Sequence, residues 1–328
     1  MDQHFSIKDS EIRFFSTVLV ILVILLVISF FFGSRADRGG SSVPGGTVQR
    51  GFPELNLQAK AVYVYDARSK EVLYAKNEEQ RLALASLTKM MSALVASEIA
   101  PEYSPVVITR EALGAEGDSG LHGGERWSLK RLLDFSLMTS SNDGMQAVAL
   151  TLGATRELSA SNETTVSDFI LQMNNRAREL NLNNTYFLNV TGLDETKEMG
   201  GAYGTAKDVS MLLEYILTYK PTLLEVTKEV NTTITSESNI EHEAKNTSIL
   251  VDKIPGLVAS KTGYTEIGGG NLIIAFDPEI GRPIIITVLG STVEGRFEDM
   301  QKLVNATMEY ISGEEFSISN FQFTTKTQ

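Results

Sequence analysis

Residues 85–98 read Ala85-Ser86-Leu87-Thr88-Lys89 and then Met90-Met91-Ser92-Ala93-Leu94-Val95-Ala96-Ser97-Glu98. Leu87, Met90, Met91, Leu94 and Val95 recur at the three-and-four spacing of a buried stripe, so this stretch is predicted to be a helix packed into a core. Ser86 and Lys89 then fall on one helical face, where an unprotonated amine can take the serine's proton. The serine belongs to the first turn. Backbone N–H groups there lack intrahelical partners and the dipole is positive, which favours an alkoxide or oxyanion. A single S-x-x-K of this kind is common by chance, and its bland form is a capping serine beside a solvated lysine. Its meaning depends on what lies downstream.

Composition narrows the chemistry. The chain has 328 residues, 42% of them hydrophobic, enough for one large domain or two average ones with a sizeable core. A net charge of −12 argues against nucleic acid as a partner, because phosphate binding needs a basic surface. There is no cysteine, which excludes disulfides and thiolate chemistry. The only histidines are His4, His122 and His242, so a histidine-rich metal site or a Ser-His-Asp triad is not expected. A serine nucleophile here needs another base.

The first 56 residues read as three segments: a tail (1–13), a membrane helix (14–32) and a flexible linker (33–56). Phe14–Phe32 is almost wholly apolar, and 19 residues at about 1.5 Å each span a hydrocarbon core. The competing reading is a signal peptide cleaved after Ser34-Arg35-Ala36. Lys8 and Arg13 before the segment are matched by Arg35 and Arg38 after it, so charge does not set its orientation. Gly33–Gly51 is rich in Gly, Ser and Arg without apolar period, as in a tether.

A globular domain is expected over 57–312. Ala61–Tyr65 and Val72–Ala75 suggest a hairpin, and the serine helix follows. A Gly-rich loop (Gly117, Gly120, Gly123, Gly124) precedes a helix from Ser128, the expected cap, to Leu137. Met138–Gly144 breaks that helix before another over Met145–Leu152; such short polar turns are good places to point side chains into a cleft. Helices are predicted at Val166–Leu180 and Thr205–Thr218, with an irregular segment, Thr185–Asp194, between them. Leu257–Gly263 reads as a strand, Gly268–Asn271 as a turn, Leu272–Phe276 and Pro283–Leu289 as strands, and Glu298–Ile311 as a closing helix. The tail 313–328 alternates Phe316, Ile318, Phe321 and Phe323. The order strands, helices, strands, helix is α+β, an antiparallel sheet assembled from both ends of the domain around a helical insertion.

Three motifs stand in sequence: Ser86-x-x-Lys89, Ser140-x-Asn142 and Lys261-Thr262-Gly263. This set resembles that of penicillin-binding proteins and class A β-lactamases. From Ala61 to Ile311 the chain resembles one branch in particular, the serine D-alanyl-D-alanine carboxypeptidases, low-molecular-mass penicillin-binding proteins of the S11 peptidase type. Shared features include ALASLTKMMSAL, SSNDGMQAVA, the T-x-F-x-N-x-x-G-L-D run from Thr185 to Asp194, TAKDVSMLL, and Leu289-Gly290-Ser291 with Arg296.

The resemblance implies a β-lactamase/DD-peptidase-like fold with a helical subdomain, and a role for each motif. Ser86 attacks the carbonyl between two D-alanines, Lys89 is the base and Ser140 relays the proton to the leaving amine. Asn142 holds Lys89 and the substrate amide. Lys261 and Thr262, with Arg296, bind the terminal carboxylate, and the backbone N–H groups of Ser86 and of Tyr264, just after Gly263, form the oxyanion hole. It implies peptidoglycan stem peptides as substrate, β-lactam antibiotics as inhibitors and no cofactor or metal; because that substrate lies outside the cell, the single-pass cell-membrane anchor read at 14–32 is expected to leave the catalytic domain extracytoplasmic. A D,D-endopeptidase would use the same residues. A class A-like β-lactamase is suggested by Glu179-Leu180-Asn181-Leu182-Asn183, which fits the element supplying a deacylating glutamate. A catalytically silent wall-binding module is a further alternative, disfavoured by the intact reactive positions. Departures from the relatives are the N-terminal anchor and Gly204, which stands where a serine is usual.

Overall fold

The computed structural model describes residues 51–153 and 161–313. Strands β1 (Ala61–Asp66) and β2 (Glu71–Lys76) form the expected hairpin. Its turn is made by Asp66, whose Oδ1 accepts from the backbone N–H groups of Arg68 and Ser69 at 2.9 and 3.0 Å while Oδ2 accepts from Arg282 at 2.8 Å. The chain continues through β3 (Leu82–Ala83), a single 3-10 turn at Ala85–Leu87 and helix α1 (Thr88–Ile99). Strand β4 (Pro105–Val107) pairs with β5 (Arg126–Ser128), and the Gly-rich loop lies between them in sequence. Helices α2 (Leu129–Thr139), α3 (Asn142–Leu152) and α4 (Asn162–Glu179) make the helical subdomain. Next come β6 (Tyr186–Phe187), β7 (Ala202–Gly204), α5 (Ala206–Tyr219), β8 (Asn231–Thr235) and β9 (Glu241–Lys245). Strands β10 (Leu257–Thr265), β11 (Gly269–Phe276) and β12 (Ile284–Ser291) and helix α6 (Gly295–Ser312) complete the domain.

The main sheet runs β10-β11-β12-β1-β2 and is antiparallel throughout, so its first and last strands in sequence meet at its centre. Alternation explains the layers, because successive side chains of a strand point to opposite faces. Ala61, Tyr63 and Tyr65 of β1 join Ile273, Ala275, Ile285 and Leu289 in a core shared with α1, α2, α3 and α5. Val62 and Val64 join Leu272, Ile274, Phe276, Ile284, Ile286 and Val288 in a second core under Met300, Leu303 and Val304 of α6. Both faces are covered, which is why β11 and β12 read as continuous apolar runs.

Several local details differ from the sequence reading. The turn before β11 falls at residues 266–268, and β11 begins at Gly269. Ser128 precedes α2 in extended conformation but makes no side-chain cap hydrogen bond. The β8–β9 hairpin was not anticipated: β9 buries only His242 and Ala244 between exposed Glu241, Glu243 and Lys245, so its alternation carries almost no hydropathy contrast. Packing also begins upstream of Leu57. The Phe52 ring lies 5.2 Å from Tyr74 and 5.7 Å from Tyr310, and Leu55 packs on the second core. No helix among the described residues is long and apolar enough to cross a membrane. The expected membrane helix 14–32, the tail 1–13, most of the linker 33–56 and the tail 314–328 lie outside the described residues.

One buried carboxylate ties the two ends of the domain together. Asp299 of α6 accepts from the backbone N–H groups of Gln58 and Ala59 at 3.1 and 2.7 Å and from Ser291 Oγ at 3.0 Å. Asp299→Ala leaves two N–H groups and a hydroxyl without their acceptor and is expected to lower the unfolding free energy by about 3 kcal/mol. Denaturant titration checks this; an unchanged midpoint would show that Asp299 does not join the termini.

Candidate active site

Ser86 is presented by a strained turn. Ala85 before it has φ +48°, a conformation an alanine adopts only when its surroundings enforce it. The enforcing neighbour is the irregular segment around Gly192. This glycine has φ +82°, and a Cβ on it would lie 1.8 Å from the Ala85 carbonyl oxygen and 2.6 Å from Thr88 Oγ1. Asn189 shapes the segment by accepting from the N–H groups of Thr191 and Gly192 at 3.2 and 2.7 Å. Thr191's carbonyl is thereby aimed at Lys89.

Lys89 is completely buried in the first turn of α1. Its Nζ is hydrogen-bonded to Ser86 Oγ at 2.8 Å and donates to Thr191 O at 3.0 Å. Burial and then the nearby cation Lys261 push its pKa well below the ordinary lysine value. A lysine shifted in this direction gives up its proton more readily, and once neutral it can offer a lone pair to the serine hydroxyl.

Between α2 and α3 the chain reverses at Ser140, φ +62°. Ser141 then caps α3, its Oγ accepting from Gly144 N–H at 2.9 Å. The reversal points Ser140 Oγ toward Lys261, whose Nζ donates to it at 2.9 Å and to Thr262 O at 2.9 Å. Burial, and then the charge of Arg296, lower the Lys261 pKa to about 7. Arg296 stands in the first turn of α6 and donates from Nη1 to Gly263 O at 2.7 Å.

The edge strand β10 brings Lys261-Thr262-Gly263 alongside the Ser86 turn. A Cβ at Gly263 would lie 3.0 Å from Leu84 O and 3.1 Å from Ser86 N, so the missing side chain lets the strand edge come this close. Thr262 Oγ1 shares a hydrogen bond of 2.6 Å with Thr247 Oγ1. Tyr264 is half exposed and lines a cavity of about 410 Å³ together with Glu116, Asp194, Lys197 and Glu266. Beside the Ser86 turn, Lys261 and Arg296 place basic side chains near Thr262 and Gly263 in a protein of net charge −12, a local charge suited to a carboxylate.

Asn142 departs from expectation. It does not hold Lys89: its Nδ2 donates to Glu116 O of the Gly-rich loop at 2.6 Å, and its Oδ1 is buried without a partner. The residue that does hold Lys89 is Thr191. The sequence pointed there only indirectly, through Asn189 and Gly192 in an otherwise irregular run. Thr247 carried no sequence signal. Glu179, the glutamate of the β-lactamase alternative, lies at the exposed end of α4 and pairs with Arg176 at 2.8 Å. At Gly204 a Cβ would meet Thr185 Oγ1 at 2.7 Å and Leu84 Cδ1 at 3.0 Å, so a larger residue there would require those side chains to shift.

Comparison with known proteins agrees with this geometry. The family model for D-alanyl-D-alanine carboxypeptidase matches residues 48–292. D-alanyl-D-alanine carboxypeptidase DacF of Bacillus subtilis is 31% identical over 218 residues, covering 65% of this chain and 52% of DacF. DacA of Haemophilus influenzae is 28% identical over 266 residues, 80% of this chain and 65% of DacA. The chain thus spans roughly half to two thirds of the length of these curated relatives. Among solved structures, ampicillin-bound penicillin-binding protein D2 of Listeria monocytogenes superposes with a TM-score of 0.65 at 28% identity, covering 77% of this chain and 98% of that one. The Streptomyces K15 DD-transpeptidase shares the fold, with a TM-score of 0.69 at 24% identity and coverage of 77% and 98%. With its Ser86–Lys89 pair, Ser140 turn and Lys261-Thr262-Gly263 edge gathered in one cleft, the chain belongs to the D-alanyl-D-alanine carboxypeptidase family, the S11 serine peptidases.

Proposed function

We propose that this protein removes the terminal D-alanine from peptidoglycan stem peptides through an acyl-enzyme, and that β-lactams inhibit it by acylating the same serine. The observation that carries this reading is the fully buried Lys89 with its Nζ 2.8 Å from Ser86 Oγ. Neutral Lys89 takes the Ser86 proton as Oγ attacks the carbonyl between the two D-alanines. The oxyanion is received by the N–H groups of Ser86 and Tyr264. Lys261 and Thr262, with Arg296, hold the terminal carboxylate, which fixes the scissile bond against the nucleophile. As the C–N bond breaks, Ser140 passes its proton to the departing D-alanine amine and takes the former Ser86 proton from Lys89, which is left neutral for the next step. Water then attacks the ester, Lys89 again accepting its proton, and Ser86 is regenerated.

A β-lactam presents a strained amide near a carboxylate and enters the same steps. Its leaving amine stays tethered to the acyl group and obstructs the incoming water, so the adduct persists. Phe14–Phe32 anchors the protein as a single membrane pass, residues 33–56 tether it, and the domain 57–312 faces the extracytoplasmic side. The substrate's location sets that orientation and leaves residues 1–13 in the cytoplasm.

Mass spectrometry of the protein after benzylpenicillin is expected to find the drug on Ser86, and a stem pentapeptide is expected to lose one alanine. Labelling that survives Ser86→Ala, or opened drug with unmodified protein, would overturn the reading. The pH dependence has a definite sign. Only neutral Lys89 accepts the proton, so acylation rises with pH through the Lys89 pKa, which burial and then Lys261 hold down. Lys261→Gln removes that cation, and the rising limb of penicillin acylation is expected to move up by about one pH unit. A limb that stays in place would show that the Lys261 charge does not set the Lys89 pKa.

A further inference from the structure

The Gly-rich loop rests on the Ser140-Ser141-Asn142 turn through a hydrogen-bonded chain that the catalytic steps above do not use. At one end of the loop Leu121 is buried, and the buried Glu125 carboxylate accepts from His122 N–H at 3.1 Å and is bonded to His242 Nε2 at 2.7 Å. Upstream, Glu116, Gly117, Asp118 and Gly120 are exposed, whereas Ser119 turns inward. A Cβ on Gly117 would lie 3.6 Å from Asn142 Nδ2, so the loop backbone lies directly against that amide.

Ser119 meets Asp143. Its hydroxyl and N–H lie 3.1 and 3.4 Å from Asp143 Oδ2, and its Oγ lies 2.6 Å from Ser141 Oγ. An ionised carboxylate only accepts, so Ser119 donates to Asp143, and the Ser141 hydroxyl donates to Ser119. An acidic residue in a first helical turn ordinarily serves its own helix's N–H groups. Here Ser141 already caps α3, and the bonds of Asp143 go outward to the loop. Asp143 is only 2% exposed and its Oδ1 is buried without a partner. Helix capping does not explain this costly placement; loop fixation does.

We propose that Asp143 is a positioning residue for acyl transfer: through Ser119 it clamps the Gly-rich loop, whose Glu116 carbonyl in turn fixes the Asn142 amide. The assignment rests on the carboxypeptidase reading. Asp143 touches neither substrate nor nucleophile; it acts through Ser119 and Asn142.

The test uses the full-length protein and its Asp143→Ala, Asp143→Asn, Ser119→Ala and Asp143→Ala/Ser119→Ala variants. Benzylpenicillin acylation is resolved into binding and acylation steps, D-alanine release from a pentapeptide is followed, and melting temperatures are recorded. Asp143→Ala and Ser119→Ala are each expected to slow the acylation step about tenfold with binding unchanged, and the double variant is expected to be no slower than Asp143→Ala. Asp143→Asn keeps an oxygen acceptor for Ser119 and is expected to restore the rate to within about twofold of wild type. Should Asp143→Ala fail to fold, Ser119→Ala and Asp143→Asn carry the comparison. Alanine variants as fast as wild type, losses that multiply in the double variant, or an Asn variant no better than Ala would overturn the clamp alone. Wild-type protein that neither acylates nor releases D-alanine would overturn the functional reading and the clamp with it.

Discussion

Two lysine side chains buried within reach of each other's charge are the constraint around which this structure is built. Lys89 is wholly enclosed and Lys261 nearly so, and neither has a carboxylate partner among the described residues. A buried unpaired ammonium is costly, and a second one beside it more so. The protein does not neutralise them with acids. It supplies neutral acceptors instead: Ser86 and the Thr191 carbonyl for Lys89, Ser140 and the Thr262 carbonyl for Lys261. Neutral acceptors satisfy N–H donors without restoring a normal pKa, so the cost of enclosure remains as a driving force for proton release. A carboxylate beside either ammonium would favour its charged form and raise its pKa toward the ordinary lysine value.

Holding such a pair needs a scaffold with separate points of attachment. Ser86 and Lys89 come from a turn and helix wedged between the layers, Ser140 and Asn142 from the helical subdomain, and Lys261 from the edge of the sheet. The central pairing of β1 with β12 matters because it closes the sheet around the insertion that carries the other two parts. Glycines set the remaining distances: Gly192 and Gly263 each occupy a place where a Cβ would press on the Ser86 turn. Side-chain volume was given up where backbones must approach, and the adjoining helices restore the apolar burial that stabilises the whole.

Much of this was legible in the sequence because strong periodicities coincide with the parts that matter. The stripe in 85–98, the apolar runs of β11 and β12, and the face of α6 all announce themselves, and the three motifs fall at their junctions. What escaped was whatever depends on backbone groups meeting across long separations. Thr191 contributes a carbonyl, which every residue possesses, so no residue type marks it. Asn142 carries a side chain suited to Lys89, yet the loop carbonyl of Glu116, 26 residues upstream, takes its Nδ2. In the β8–β9 hairpin Ile234 alone is a large apolar residue turned toward the core, beside His242 and Ala244, so its period-two pattern has little contrast.

Arg296 shows how one residue connects these levels. Its Nη1 on the Gly263 carbonyl braces the backbone of the edge strand just where that strand passes closest to Ser86. The same guanidinium lowers the Lys261 pKa, and Lys261 in turn lowers that of Lys89. Position and electrostatics therefore reach the nucleophile along one path, from α6 through β10 to α1. An incoming carboxylate would lie against this cationic series and partly cancel it, raising the affinity of Lys261 for its proton. Under the proposed carboxypeptidase reading, a bound carboxylate would favour the charged form of Lys261, the form whose Coulomb effect adds to burial in lowering the Lys89 pKa.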